Sequence, residues 1–212
     1  TGTSKSVSHT TGAGANRLML VIVHGNTAAR TVSTVTYGAA SLVSAAAAQN
    51  TGSWGWVHFW KLVAPASGAG TVTVTLDTSD PANWTFTVVT FADADQTTPL
   101  GTFAGAGGDS TTPSVAVSAA TNDLVVDGLT WDDADGTIAT VGAGQTQRRN
   151  GVVDGQMGFC VSTEPGAATV TMSWELTTPP DPRPWDIQGV AVKAAAGGGG
   201  PIAKSHFLLL GV

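Results

Sequence analysis

The residues able to do acid–base or nucleophilic chemistry are few in this sequence. It holds four histidines, His9, His24, His58 and His206, and a single cysteine, Cys160. A serine or cysteine nucleophile needs a histidine within hydrogen-bond reach, and that histidine is usually oriented by a carboxylate. None of the histidines stands in a recognisable local signature, and no Gly-x-Ser-x-Gly elbow occurs. The cysteine lies in a predicted strand, where a buried and inert thiol is the usual outcome. We therefore expect a protein that is not an enzyme.

Carboxylates offer one candidate for a metal site. Glycoside hydrolysis needs two carboxylates facing each other across a cleft, but the only glutamates are Glu164 and Glu175, and the first precedes a Pro-Gly turn. Asp132, Asp133 and Asp135 precede a glycine, and closely spaced oxygen ligands of this kind suit Ca²⁺. The ligand spacing and closing glutamate of an EF-hand are missing. A structural calcium ion and a solvated acidic loop both remain open, and no other cofactor is expected.

Two further aspartate pairs are weaker metal candidates. They are Asp93 with Asp95 and Asp77 with Asp80. Aspartates in turns usually cap local backbone amides. Capping is therefore the default interpretation of both pairs.

Three tryptophans lie on one side of a single predicted strand. Trp54, Trp56 and Trp60 share one parity, so they could form an aromatic platform that stacks on sugar rings. The opposite parity, Val57 and Phe59, is also apolar, which favours a strand covered on both faces. A glycan-binding row and core or intersubunit packing are both kept as hypotheses.

The composition excludes several classes of protein. Only 11 % of the 212 residues are charged, against roughly 25 % in ordinary globular domains. The net charge is −6 and the basic residues are scattered, which argues against nucleic-acid binding. No run of eighteen apolar residues occurs, so we expect no membrane insertion, and the first residues lack the order of a signal peptide. One cysteine excludes an internal disulfide.

Alternating apolar and polar residues predict an all-β protein, an antiparallel β-sandwich or jelly roll. The clearest case is TVTVTL at residues 71–76. Clusters of Gly, Pro, Asn and Asp separate the strands, and many short strands with frequent turns are typical of sandwiches. Strands are predicted over residues 18–23, 33–37, 54–63, 71–76, 84–91, 114–119, 124–131, 156–162, 168–174 and 187–192.

The sequence also indicates an internal duplication. Phe59 and Pro65 are answered about 100 residues later by Phe159 and Pro165. We therefore predict two similar halves of about seven strands, which either stand in tandem or share one core. The predicted divisions are a first half at 1–103, a linker at 104–113, a second half at 114–195, and a Gly-rich tether with an apolar tail at 196–212.

The tail is the most concentrated apolar segment, and it follows a run of four glycines that predicts a flexible tether. Left in solvent, such a segment would favour aggregation. We expect it to dock on a neighbouring subunit or, alternatively, to fold back as an edge strand of its own chain. The expected contact residues are Ile202, Phe207, Leu208, Leu209, Leu210 and Val212.

The duplicated unit resembles the Thr/Gly-rich β-sandwich domains of phage virion proteins and of bacterial surface or secreted proteins. The resemblance rests on NRLMLV at 16–21, VTYG at 35–38, FWKL at 59–62, PASGAGTVTVTL at 65–76 and QTTPLG at 96–101. It implies a structural or adhesive role and carries over no catalytic residue.

Two functions from different classes follow as expectations. The first is a structural subunit at a virion surface, such as a phage capsid decoration (cement) protein or a filament subunit. It would bind copies of itself or a major capsid or filament protein, and the low surface charge suits a protein whose exterior is largely covered by contacts. The alternative is an extracellular or cell-surface module for carbohydrate binding or adhesion that uses the tryptophan row.

Overall fold

The described part of the chain is all-β. In this computed structural model it comprises residues 3–26, 31–48, 54–77, 83–133, 136, 138–176, 182–196, 202 and 204–208. Within these ranges there are seventeen strands, all paired antiparallel, and no helix. The strands are β1 (Ser4–Thr11), β2 (Leu18–Asn26), β3 (Val32–Tyr37), β4 (Ala40–Ser41), β5 (Val43–Ser44), β6 (Gly55–Val63), β7 (Gly68–Leu76), β8 (Trp84–Phe91), β9 (Ala104–Ser110), β10 (Ser114–Val117), β11 (Leu124–Asp132), β12 (Ala139–Val141), β13 (Thr146–Val153), β14 (Met157–Pro165), β15 (Val170–Leu176), β16 (Arg183–Val192) and β17 (Lys204–Leu208).

The strands form two sandwiches. In the first, a four-stranded sheet of order β1-β7-β3-β4 faces a five-stranded sheet of order β17-β8-β2-β6-β5. In the second, a three-stranded sheet of order β10-β15-β12 faces a five-stranded sheet of order β13-β14-β11-β16-β9. Each sandwich has its own apolar core between its two sheets. The prediction of an antiparallel β-sandwich is confirmed.

The two five-stranded sheets pack back to back, so the molecule has four layers. The strand β2 shows the consequence, because every one of its residues is buried. Met19 and Val21 belong to the core of the first sandwich, whereas Leu20 and Ile22 belong to an apolar cluster shared by the two sandwiches. A strand covered on both faces reads as a continuous apolar run. Gly128 allows the close approach, because a Cβ there would lie 2.7 Å from Ile22 Cγ2.

The orders of corresponding sheets match. The strands β8-β2-β6-β5 of the first five-stranded sheet have the counterparts β16-β11-β14-β13 in the second, and β1-β7-β3 has the counterpart β10-β15-β12. A duplication leads us to expect this correspondence, although the duplication itself stays a prediction. One strand, β4, has no counterpart among the described residues of the second half.

Each half receives one edge strand from the segment that follows the other half. The strand β9 follows the first half but pairs with β16 of the second, over Gly189 to Arg183. The strand β17 follows the second half but pairs with β8 of the first. Residues 104–110, which we assigned to a linker, therefore form a strand.

The segment that leads from the first half into β9 pairs with the segment that leads from the second half into β17. Ala94 lies opposite Ala194 in an isolated antiparallel bridge. The Asp95 N–H donates to the Lys193 carbonyl, and the Ala195 N–H donates to the Asp93 carbonyl, both at 2.8 Å. The exchanged strands and this bridge tie the two halves together.

Candidate functional site

The tryptophan row does not form a platform. Trp56 and Trp60 are 1 % and 8 % exposed, and both lie in the core of the first sandwich. Trp54 is half-buried against Val153 and Met157 of the second half. The glycan-binding assignment of this row is therefore wrong for Trp56 and Trp60: their strand β6 is an inner strand of its sheet and is covered on both faces, so their ring faces are not available to a sugar.

Part of the tail pairs with its own chain. Residues 204–208, which include Phe207 and Leu208, form β17 on the edge of their own chain's first five-stranded sheet, with Leu208 opposite Val88. Ile202 is 5 % exposed and lies in the apolar cluster between the sandwiches. Its N–H points at the Asn122 carbonyl at 3.4 Å. The remaining predicted contact residues, Leu209, Leu210 and Val212, lie outside the described residues.

The candidate calcium loop is only partly described. Asp132 ends β11, and its carbonyl accepts a hydrogen bond from Arg183 Nη1 at 3.3 Å. Asp133 is buried, and its N–H donates to the Gln156 carbonyl at 3.0 Å. Asp135 lies outside the described residues. In the part of the chain that the structure covers, no group of three or more His, Cys, Asp or Glu residues could hold a metal ion.

The weaker aspartate pairs include one clear capping residue. The Asp95 carboxylate accepts hydrogen bonds from the Thr97 N–H at 2.7 Å and from the Thr98 N–H at 2.8 Å. These bonds, chiefly that from Thr98, hold the pKa of Asp95 below its usual value. Asp93 has a positive φ of 61°, which suits a turn. Asp77 follows β7, and Asp80 falls outside the described ranges.

His9 and His24 are buried, and His58 is half-buried. His24 is fully buried between the two halves, 5.6 Å from the ring of Phe159, and burial lowers its pKa to about 3. His9 Nε2 lies 2.7 Å from Thr90 Oγ1. His58 Nε2 lies 2.9 Å from Ser44 Oγ. The Ser44 hydroxyl also lies 2.9 Å from the Ala46 carbonyl. Its one proton can therefore be donated either to that carbonyl or to His58 Nε2.

A buried carboxylate in the second core was not predicted. Asp127 of β11 is fully buried, and its Oδ1 accepts hydrogen bonds from the Ser162 N–H at 2.7 Å and hydroxyl at 2.8 Å. Its Oδ2 accepts one from Trp174 Nε1 at 2.7 Å. Burial raises the pKa of Asp127 to about 6, although these hydrogen bonds act in the opposite direction. Burial first, and then the nearby Asp127 charge, raise the pKa of the Cys160 thiol, so that the thiol stays protonated.

The network extends to the protein surface. Gln145 Nε2 donates to Ser162 Oγ at 2.7 Å, and Gln145 Oε1 accepts from the Ser173 N–H at 2.7 Å. A single signal in the sequence marks the site: Asp127 interrupts the apolar run 124–129. The arrangement supports a buried carboxyl group whose two oxygens accept hydrogen bonds from Ser162 and Trp174.

The described surface also carries an apolar groove of about 650 Å³ between β12 and β13. Three large apolar side chains are well exposed among the described residues, and two of them line this groove: Ile138 at 65 % and Val152 at 36 %. Val141, Gln147 and Asn150 line it as well, and none of its described lining residues is ionisable. Such a groove can take up uncharged, apolar side chains.

Comparisons with protein-family models, with curated proteins and with solved structures found no match. The described residues include no helix that could span a membrane.

Proposed function

We propose that the chain is a non-enzymatic structural subunit of a repeated assembly, a phage capsid decoration (cement) protein or another virion or filament subunit, which binds its neighbours through its C-terminal segment. Its place would be the virion surface. The partner would be a second copy of the chain, a major capsid protein or a filament protein.

The observation that carries the proposal is the way in which the end of the chain is held. The strand β17 is an edge strand that pairs through its backbone with β8. Backbone pairing at a sheet edge forms equally well when the strand comes from another molecule. Exchange of a terminal element between identical chains is a low-cost route to assembly, and the glycine run at 197–200 is typical of a tether that permits it.

The surface composition supports the same function. The charged fraction is 11 %, and the exposed residues of strands such as β1 are mainly Ser and Thr. Uncharged polar surfaces cost less to desolvate than charged ones when copies pack side by side. The carbohydrate-binding alternative gains nothing from the tryptophan row, since Trp56 and Trp60 are buried.

The test compares the full chain with two variants over a range of concentrations, by native mass measurement and by sedimentation. One variant ends at residue 196. The other, Phe207→Pro, keeps the tail but removes a backbone donor and disfavours strand pairing. We expect the full chain to associate with itself or with its particle and both variants to lose most of that association.

A matched control separates assembly from folding. Ile202→Ala removes part of the anchor between the halves and leaves β17 intact, so it is expected to lower thermal stability while association persists. Unchanged association in both the truncated and the Phe207→Pro variants would overturn the proposal.

A further inference from the structure

The groove between β12 and β13 occupies a place that the first half covers with its own chain. The strand β12 corresponds to β3. In its sheet β12 is hydrogen-bonded to β15, just as β3 is hydrogen-bonded to β7. In the first half, β4 continues the sheet beyond β3, with Ser41 opposite Thr36. Leu42 then closes the edge: it is 4 % exposed, and its N–H donates to the Val35 carbonyl at 2.9 Å. Where the structure describes the second half, no strand corresponds to β4, and the groove lies at the open edge of β12.

The first half therefore shows what chemistry fits such an edge. Its covering segment, residues 40–44, reads ASLVS, which is extended, uncharged and centred on a leucine. The C-terminal segment 205–212 reads SHFLLLGV and carries no Asp, Glu, Lys or Arg. A segment of this composition matches the uncharged lining of the groove.

Net charge favours this surface for a contact between copies. Each chain carries a formal charge of −6, so two copies repel each other overall. A contact between uncharged surfaces adds the least to this repulsion. The strand β17 pairs with β8 of the first half. The groove belongs to the second half, which makes another molecule the better source of the occupant.

We propose that the groove between β12 and β13 binds the end of the C-terminal segment of a second copy, residues 209–212, in extended form. The inference rests on the proposed function and names the surface on which the tail of one subunit docks. Ile138 and Val152 supply the apolar contacts on the receiving subunit.

The test uses the full chain and a fluorescent peptide with the sequence of residues 205–212, together with a scrambled peptide of equal composition. Binding is measured by anisotropy to the wild type, to Ile138→Asp and to Val43→Asp. Val43 is the matched control, because it is 57 % exposed on the short edge strand β5, outside the groove. Placing a charge against apolar partners is unfavourable, so the affinity for Ile138→Asp is expected to fall by about tenfold or more, whereas Val43→Asp binds like the wild type. Both sites are exposed, and circular dichroism checks that both variants fold.

The outcomes separate this inference from the proposed function. If deletion of residues 197–212 abolishes association while Ile138→Asp leaves both association and peptide binding intact, the tail docks elsewhere; the inference then falls and the assembly function stands. If Ile138→Asp weakens association but no peptide binds, the grooves of two copies contact each other directly, and the tail as occupant is overturned. Equal binding of the scrambled peptide would also overturn it.

Discussion

The two halves of the molecule share one plan of strands but fill one core position in opposite ways. Counted from the first residue of β2 and of β11, Val21 and Asp127 hold the same place, and each faces the core of its own sandwich. Val21 lies opposite Trp60 of the next strand, whereas Asp127 lies opposite Ser162. An apolar pair fills this position in the first core. In the second core the position holds a carboxylate, and both of its oxygens accept hydrogen bonds. The plan therefore accommodates either an apolar pair or a buried carboxyl group at this position, but the carboxyl group depends on every hydrogen-bond donor being present.

The outer edges differ in a similar way. The first half covers β3 with β4 and with the buried Leu42, and the second leaves β12 beside an open apolar groove. A closed edge contributes to the stability of its own chain, whereas an open one offers a surface to another molecule. Under the proposed function, the first half is mainly structural and the second carries the docking surface.

The largest expected effect comes from the core of the first half. Trp56→Ala removes a side chain that is only 1 % exposed, so we expect it to lower the free energy of unfolding by about 3–5 kcal/mol. Trp54→Ala is the control within the same row, and because Trp54 is half-buried its effect should be less than half as large. Urea unfolding measures both. Similar small losses in both variants would contradict the assignment of Trp56 to the core.

The next effect separates the two cores by pH. The pKa of Asp127 is raised to about 6 from a usual 3.8, a shift that corresponds to about 3 kcal/mol. A raised pKa stabilises the fold at low pH, and this contribution is lost as the pH rises from about 4 through 6. The difference in unfolding free energy between the wild type and Asp127→Asn should therefore decrease over this range.

Asp95→Asn gives a control of opposite sign. The pKa of Asp95 is held below its usual value, so its contribution is present at neutral pH and is lost as the pH falls. Urea unfolding at a series of pH values records both slopes. A flat difference for Asp127→Asn would show that folding does not raise the pKa of this carboxyl group.

The smallest of the three effects compares the edges. Leu42→Ala opens the covered edge of the first half and should cost about 2–3 kcal/mol, because the side chain is 4 % exposed. Ile138→Ala at the open edge should change the stability of the isolated chain by no more than about 0.5 kcal/mol, because that side chain is 65 % exposed. Thermal unfolding of both variants measures the contrast. Equal losses would mean that the two edges are equivalent.

Much of the sheet framework could be predicted from the sequence, since alternation and apolar runs are local signals. The strand predicted at 84–91 is confirmed as β8 with the same bounds, and the Thr-Val alternation at 71–76 lies within β7. The strand β9 was missed because Gly and Ala dominate it, and such residues are depleted in strands. It forms where β16 offers an edge, which is a tertiary effect.

The sites were harder to predict, because their partners are distant in sequence. Asp127 is visible as a charge within an apolar run, but its donors Ser162 and Trp174 follow 35 and 47 residues later. The burial of Trp56 depends on the layer packed against β6, which strand parity alone does not show. The groove depends on the absence of a counterpart to β4 among the described residues, which only the comparison of the two halves shows.

The central claim is that the tail of one chain contacts another chain, and cross-linking of isotope-mixed protein tests it most directly. Equal amounts of light and ¹⁵N-labelled chain, both carrying Ile138→Cys and Leu210→Cys, are mixed, allowed to assemble and cross-linked, and the joined peptides are weighed. The native Cys160 is buried and therefore stays out of the reaction. We expect peptides that join a light and a heavy chain at the frequency of random mixing. Joined peptides that are always both light or both heavy would show that the tail stays on its own chain and would contradict the account.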